Sequence, residues 1–256
     1  MISEDQKKFY EINGYLHLRG VFSAEEASNY RTEAHDLIER ISDRGHNNAA
    51  WKSGDKLSMV KTQLKHCHNV QFESSTFCRL MCDPRITDVA AAIMQTPNVQ
   101  LHHNKLFIKP PAKGAPFPMH QDHPFFPHEN HSMIAAIIHF DDAPEEKGCV
   151  RVVAGSHKQG PIEHNAEGNF HLPLDEWPLE SATKCEAKAG DVLFFSYLTV
   201  HGSGVNVSEE ARTTLLIQMR DPADLPTVDR HKSRGQGMML RGVNTGPAFA
   251  QFVKPV

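Results

Sequence analysis

The chain has 256 residues, a formal net charge of -4 and 39% hydrophobic residues, the balance of an ordinary globular protein. Such a charge gives no electrostatic basis for binding nucleic acid or an anionic membrane surface. The sequence has no apolar signal core and no apolar run of about 18 residues, and its five cysteines lack a zinc-type spacing, so we expect a cytoplasmic protein with free thiols.

The first part of the chain has the pattern of amphipathic helices. The spacing predicts a helix over residues 3–12 with Phe9 and Ile12 facing inward, ended by Gly14 in a left-handed conformation. A short strand is expected over 15–18.

Three more helices are expected before residue 98. Ser23 and Glu26 have the spacing of a capping box, which predicts a helix over 24–42. Helices over 74–82 and 84–95 follow, and an Asp-Pro pair marks the start of the second of them.

Between the helices, residues 45–69 are polar and lack periodicity. Loops of this length are uncommon and are usually either functional or mobile. Trp51 within the loop is either a substrate-facing aromatic or a side chain that covers the core.

From residue 99 onward, short β-like runs alternate with turns rich in Gly, Pro, Asp and Asn. The runs are Val99–Ile108, Phe117–His120, Met133–Phe140, Cys149–Val153, Lys184–Ala187, Val192–Phe195 and Arg212–Met219. Helices followed by about seven or eight short strands predict a mainly β fold with flanking helices, in which N-terminal α-helices back a double-stranded β-helix, or jelly roll.

We expect one domain over residues 1–256. It would consist of a helical part (1–98), a jelly-roll core (99–220) and a loop-rich tail (221–256).

A candidate metal site begins at His120 and Asp122, which are two residues apart. On an extended strand, side chains at i and i+2 project from the same face. His201 follows a predicted strand and supplies a second imidazole. Two histidines and one carboxylate form the facial triad of non-haem Fe(II) oxygenases, which leaves open positions for other ligands. The spacing alone is weak evidence, because the chain contains 17 histidines.

Arg212 opens an apolar strand eleven residues after His201. A buried guanidinium needs an anion and pairs bidentately with carboxylates. An oxoacid with a distal carboxylate fits this requirement, and an ion pair with Glu209 or Glu210 is the alternative.

These motifs occur in the order and spacing of the phytanoyl-CoA dioxygenase family, which the chain resembles over roughly residues 5–220. The resemblance rests on Lys109-Pro110-Pro111, His120-Gln121-Asp122, the run from Gly148 to His157, Gly190-Asp191, His201-Gly202-Ser203 and Arg212. It implies a jelly-roll fold and a hydroxylase that uses Fe(II), 2-oxoglutarate and O2, with ascorbate as an optional reductant. A small-molecule substrate is implied, and the sequence does not indicate the oligomeric state.

The resemblance also implies roles for individual residues. His120, Asp122 and His201 would be the metal ligands, and Arg212 would bind the far carboxylate of 2-oxoglutarate. Ser203, Lys105 and Ile138 fall at positions where the family contacts this cosubstrate. Related halogenases have a small residue in place of the carboxylate ligand, so Asp122 favours hydroxylation.

Several assignments stay open at this stage. Two competing functions remain: a non-catalytic protein that binds the oxoacid, and a metal-dependent hydrolase or isomerase on a cupin-like barrel, which would be active with Zn(II) and without O2. His157 is expected to be structural rather than a fourth ligand. The imidazoles of His123, His128 and His131 either border the substrate entrance or belong to an exposed loop. The basic tail either binds an anionic substrate or is solvated; its cationic residues are Arg230, His231, Lys232, Arg234 and Arg241.

Overall fold

The computed structural model describes residues 2–42, 64–112, 114–166, 170–230 and 232–247. Its α-helices are α1 (Glu4–Asn13), α2 (Ala24–Ser42), α3 (Ser75–Met81) and α4 (Pro84–Met94). The strands are β1 (Tyr15–Leu18), β2 (Lys65–His68), β3 (Val99–Lys109), β4 (Phe117–His120), β5 (Ile134–His139), β6 (Val150–Val152), β7 (Thr183–Cys185), β8 (Val192–Ser196), β9 (His201–Ser203), β10 (Arg212–Arg220) and β11 (Met239–Arg241).

The strands form two antiparallel sheets. The larger sheet has the order β1-β8-β5-β10-β3-β11, with β2 also paired to β3, and the smaller sheet has the order β4-β9-β6-β7. In both sheets, most hydrogen-bonded neighbouring strands are not consecutive in the chain. Two antiparallel sheets connected in this way have the topology of a jelly roll, which confirms the predicted fold class. None of the described helices is both long and apolar enough to cross a membrane.

The two faces of the larger sheet have different roles because successive side chains of a strand point to opposite faces. On β10, Leu215, Ile217 and Met219 pack against the helices in the main hydrophobic core. The alternate residues, Arg212 and Leu216 among them, line a cavity on the other face. The strand therefore contributes to the core with one face and to the cavity with the other.

A second hydrophobic cluster lies between the sheets. Leu193 and Phe195 of the larger sheet pack with Val150, Val152 and Cys185 of the smaller sheet. Val150 and Phe195 of this cluster also line the cavity, so the cluster forms part of the cavity wall.

The start of the chain differs from the sequence-based expectation in the phase of α1. Phe9 and Ile12 were expected to face inward, but they are 42% and 48% exposed. Tyr10 packs against the core instead. The helix end is as predicted, because Gly14 adopts a left-handed conformation with φ 75°.

Three short strands escaped the sequence analysis. Strand β2 lies inside the segment that was expected to be loop, β11 lies inside the expected loop-rich tail, and β9 contains His201 itself. Both β2 and β11 pair with β3, so the sheet extends beyond residues 99–220 at either end of the chain. Trp51 lies outside the described residues. That residues 1–256 form one domain stays a prediction.

The capping box of α2 provides a test of local stability. The backbone N–H of Glu26 donates to Ser23 Oγ over 3.1 Å, and the Ser23 N–H donates to Glu26 Oε2 over 2.8 Å. We expect Ser23→Ala to lower the free energy of unfolding by about 0.5–2 kcal/mol, because one N-terminal N–H of the helix loses its acceptor. Urea denaturation measures the change. An unchanged midpoint would contradict the assigned cap.

Candidate active site

Two strands of the smaller sheet bring two histidines face to face. His120 on β4 and His201 on β9 are direct cross-strand partners, and their ring centroids lie 4.3 Å apart. Residues directly opposite each other in an antiparallel pair have close Cβ atoms, so the pairing alone places both imidazoles at one point. Both side chains are buried, at 7% and 8% exposure.

Asp122 reaches the same point from a turn rather than from the strand. Strand β4 ends at His120, and Asp122 has helical dihedrals (φ -74°, ψ -23°) at the start of a 3-10 turn. Strand β4 has the predicted bounds, and His120 and Asp122 converge without sharing one extended strand. The backbone N–H of Asp122 donates to the carbonyl oxygen of Tyr197 over 3.0 Å, which holds the turn against the neighbouring loop.

Gln121 locks this turn in place. Its amide nitrogen donates to the carbonyl oxygens of Gly160 and Leu198 over 2.9 and 2.7 Å, and its Oε1 accepts from the N–H of Ile162 over 2.8 Å. The side chain is fully buried. The middle residue of His-Gln-Asp thus connects the turn to two loops.

The three side chains form a site that can hold a metal ion. Asp122 Oδ1 lies 3.7 Å from His120 Nε2 and 3.8 Å from His201 Nε2. All the candidate ligand atoms lie within 4.8 Å of one another, and this is the only such cluster among the described residues. Two imidazoles and one carboxylate fit Fe(II), which accepts both nitrogen and oxygen ligands.

Hydrogen bonds set the tautomers of both histidines. Nδ1 of His120 donates to the carbonyl oxygen of Pro118 over 2.7 Å, and Nδ1 of His201 donates to that of Thr199 over 2.9 Å. Each Nε2 therefore keeps its lone pair for a metal. Burial, together with the neighbouring His201, lowers the pKa of His120 to about 4, so this ring is neutral and able to ligate at pH 7.

The Gly148–His157 motif supports the site from outside. Ser156 Oγ donates to the carbonyl oxygen of Val153 over 2.7 Å and accepts from the N–H of Val200 over 2.8 Å, which anchors the residue before His201. His157 Nε2 lies 3.2 Å from the carbonyl oxygen of Glu11 and is not among the three clustered ligand residues. These contacts agree with the structural role expected of His157.

Gly202 lines the cavity and is also required by chain packing. A Cβ at this position would lie 2.8 Å from the carbonyl oxygen of Phe117. A larger residue would therefore separate β9 from β4.

Gln218 is a site residue that the sequence analysis missed. It lies on β10, and its Nε2 donates to Asp122 Oδ2 over 2.5 Å. The side chain is fully buried. Gln218 is six residues after Arg212, so it shares the cavity-facing parity of the strand, and this polar residue in an apolar run was the signal that could have identified it.

Arg212 lies at the other end of the cavity, where it is 4% exposed. One guanidinium nitrogen donates to the carbonyl oxygen of Gly148, and Nε is buried without a partner. Glu210 pairs with Lys147 instead. Among the described residues no carboxylate is within ion-pair distance of Arg212, so the structure does not support the ion-pair alternative.

Lys109 adds a second buried cation beside Arg212. The two residues are cross-strand partners on β3 and β10. Lys109 Nζ donates to Ser203 Oγ over 2.8 Å and to the carbonyl oxygen of Gly204 over 2.7 Å. Burial and the charge of Arg212 hold the pKa of Lys109 well below its usual range. Like charges at opposed positions are unfavourable, so this end of the cavity is prepared for an anion.

The two remaining predicted cosubstrate contacts have different outcomes. Lys105 lines the cavity, as expected of a contact residue. Ile138 does not, because it lies on the opposite face of β5 and packs with the helices in the main core. Its neighbour Ile137 lines the cavity. The Ile138 contact is therefore wrong, by one residue of register.

The cavity has a volume of about 520 Å³, within the usual range for small-molecule sites. The metal triad, Ser203 and Arg212 all line it. The walls include aromatic side chains, namely Phe107, Phe117, Phe125, Phe126 and Phe195. The site thus combines a cluster of three candidate metal ligands, a buried arginine beside a buried lysine, and an apolar enclosure.

The loop histidines and the basic tail are now placed. His128 is buried with its ring 5.4 Å from that of His102, and His131 Nδ1 hydrogen-bonds to Tyr197 over 2.5 Å. Lys232 and Arg234 line the cavity mouth. His231 lies outside the described residues.

The family model of phytanoyl-CoA dioxygenase matches residues 10–214, which are most of the chain and include His120, Asp122, His201 and Arg212. The chain belongs to the phytanoyl-CoA dioxygenase family. A probable alpha-ketoglutarate-dependent hypophosphite dioxygenase of Stutzerimonas stutzeri is 27% identical over 228 residues, which cover 85% of this chain and 78% of that protein. A probable phytanoyl-CoA dioxygenase of Caenorhabditis elegans is 29% identical over 238 residues, which cover 84% and 74%.

A solved structure of this fold comes from nogalamycin biosynthesis. The epimerase SnoN in complex with Fe3+, alpha-ketoglutarate and nogalamycin RO has a TM-score of 0.73 and 26% identity, covering 93% of this chain and 98% of that one. Together with the triad, these relatives identify the chain as a 2-oxoglutarate-dependent non-haem iron dioxygenase of the phytanoyl-CoA dioxygenase family.

Gln218 offers a test of how the carboxylate is held. We expect Gln218→Leu to weaken Fe(II) binding by about 10- to 100-fold, because outer-sphere hydrogen bonds orient metal-binding carboxylates. Chelator competition under anaerobic conditions measures the affinity. Gln100→Leu is the matched control, since Gln100 is a buried glutamine of the same sheet outside this cavity. Equal affinities in the two variants would contradict the assigned role.

Proposed function

We propose that the chain hydroxylates a C–H bond of a small or medium organic substrate, with His120, Asp122 and His201 as the iron ligands. The observation that carries this assignment is the convergence of three ligand side chains at one end of a cavity whose other end holds a buried arginine without a carboxylate partner. Bound iron and 2-oxoglutarate supply, with O2, the oxidant for hydroxylation and release succinate and CO2.

The residues of the chain prepare the site for this chemistry. The imidazoles of His120 and His201 present Nε2 because their Nδ1 protons are held by backbone carbonyls. Gln218 orients Asp122. Arg212 binds the distal carboxylate of 2-oxoglutarate, and Ser203, itself held by Lys109, lies at the same end. A buried guanidinium binds a carboxylate more strongly than an exposed one does, because water competes less.

The aromatic walls have a separate role. Phe117 and Phe125 flank the His120-Gln121-Asp122 motif in sequence, and both line the cavity. They exclude water from the reacting centre, which protects a reactive oxidant from side reactions.

The five cysteines are free, which supports a reducing compartment such as the cytoplasm.

The experiment is an anaerobic reconstitution with Fe(II) and 2-oxoglutarate followed by addition of O2. We expect O2-dependent formation of succinate, accelerated by compounds of a metabolite extract that are substrates. Zn(II) should not replace Fe(II). Binding of iron and oxoacid without succinate formation across the extract would instead support a non-catalytic binding protein, and Zn(II)-dependent activity without O2 would support a hydrolase.

A further inference from the structure

One part of the cavity carries positive charge that the proposed roles of Arg212 and Lys109 do not use. Lys105 lies on β3 and lines the cavity next to His68 and His103. Its Nζ lies 5.0 Å from the ring centroid of Phe107. Lys105 is thus a partly buried cation against an aromatic wall.

No described carboxylate neutralises this lysine. Asp122 is the only carboxylate among the described residues that line the cavity. Burial lowers the pKa of Lys105 to about 8, and no acidic neighbour opposes this shift. The side chain is therefore mostly charged at pH 7, and its lost solvation is offset by the ring of Phe107 but by no described carboxylate.

The cavity mouth adds one more cation. Lys232 is paired with Asp229 over 2.5 Å, whereas the guanidinium of Arg234 lies 4.2 Å from the ring centroid of Phe72. Arg234 also lines the cavity. Charge thus continues from Lys105 toward the opening.

The position of Lys105 separates it from the anion site at Arg212. Lys105 is opposite Leu216 on β10, and Lys109 is opposite Arg212. Four residues along a strand span about 13 Å. Gln218, which contacts Asp122, is two residues beyond Leu216 on β10 and six beyond Arg212, so an anion at Lys105 would lie nearer Asp122 than the carboxylate that Arg212 would bind.

The positive charge of Lys105 has no negative counterpart in the cavity after the metal ion and 2-oxoglutarate bind. A divalent metal ion and a dianionic oxoacid cancel each other, and Asp122 offsets Arg212. Even when Lys109 is counted as neutral, the charge of Lys105 remains in a partly buried cavity. Isolated charges in a low-dielectric site are unfavourable, so the complex is complementary to a further anion.

We propose that Lys105, with Arg234 at the mouth, binds an oxyanion of the primary substrate, so that the substrates are organic acids bearing a carboxylate or a phosphonate. The inference rests on the proposed function, because it takes the Arg212 end and the metal to be occupied by 2-oxoglutarate. It replaces the cosubstrate contact that family resemblance implied for Lys105. The aromatic walls would hold the carbon skeleton of the acid.

The experiment uses three probes with the same ring and different charge: benzamide, benzoate and phenylphosphonate. Each is titrated by calorimetry, without O2, into the full chain loaded with Mn(II) and saturating 2-oxoglutarate. We expect at least one of the two anions to bind about 10-fold or more tightly than benzamide, because a charge-assisted hydrogen bond replaces lost solvation. Which anion binds better distinguishes the carboxylate from the phosphonate class.

Lys105→Met should abolish this preference while the affinity for 2-oxoglutarate changes less than about twofold, as for independent sites. Lys65→Met is the control, since Lys65 is exposed on β2 outside this cavity. Equal binding of all three probes, binding of none, or a preference that survives in Lys105→Met would overturn the proposal. A large loss of 2-oxoglutarate affinity in Lys105→Met would overturn it in favour of a cosubstrate contact. Failure of the wild-type chain to bind 2-oxoglutarate would instead reject the proposed function.

Discussion

Asp122→Ala is expected to abolish turnover and to weaken Fe(II) binding by more than about 100-fold, since loss of an outer-sphere partner alone costs 10- to 100-fold. The carboxylate supplies the only negative charge among the three clustered ligand residues. Without it, two neutral imidazoles remain to hold a dication. Anaerobic metal titration and succinate formation measure the two effects.

The control for this variant is Asp88→Ala, which removes an aspartate of α4 that pairs with Arg241 outside the cavity. We expect turnover within about twofold of wild type in the control, because partly exposed ion pairs contribute little. Melting temperatures of both variants establish that they fold. Full hydroxylase activity in a folded Asp122→Ala variant would contradict the assignment of Asp122 as an iron ligand.

Arg212→Gln is expected to raise the KM for 2-oxoglutarate by at least about 30-fold, because truncating one partner of a buried charge pair costs 2–5 kcal/mol. Arg212 is buried, its Nε lacks a partner, and it lies at the end of the cavity away from the metal triad. The distal carboxylate has no other described arginine in the cavity interior.

A cosubstrate without the distal carboxylate distinguishes the loss of carboxylate binding from a general structural effect of the substitution. 2-Oxobutyrate lacks the distal carboxylate, so wild type and Arg212→Gln should use it equally poorly, as a double-mutant cycle requires. The rise in melting temperature that 2-oxoglutarate gives the wild type should vanish in the variant, because ligand stabilisation follows affinity. Arg40→Gln removes a half-exposed arginine paired with Glu33 and serves as control. Equal loss with both oxoacids would indicate a structural role for Arg212.

The fold class was predictable because local signals agreed with the global pattern. The capping box before α2 and the Asp-Pro pair before α4 are both used as expected. The strands of the core were located by alternation and by turn residues. These signals depend on neighbours in sequence, and a single chain contains them.

The buried face of each helix or strand, and the pairing register of the strands, were harder to predict. Both depend on tertiary partners that are distant in the sequence. One residue separates Ile137, which lines the cavity, from Ile138, which packs with the helices. A run of five apolar residues on β5 has no alternation that distinguishes its two faces. The buried face of α1 was equally hard to predict, because Phe9, which is exposed, is adjacent to Tyr10, which packs against the core.

The motif residues of the site were predictable from the sequence. The residue that holds one of them in place through a hydrogen bond was not. His120, Asp122, His201 and Arg212 stand in recognisable spacing, and the structure places the first three together. Gln218 comes 96 residues after Asp122, and only the sheet register brings them into contact.

Iron-edge anomalous diffraction from anaerobic crystals with Fe(II) and 2-oxoglutarate tests the central claim most directly. The account predicts one anomalous peak bonded to His120 Nε2, Asp122 and His201 Nε2, with the distal carboxylate of 2-oxoglutarate on the Arg212 guanidinium. Iron bound elsewhere, or a cosubstrate whose distal carboxylate lies away from Arg212, would contradict it.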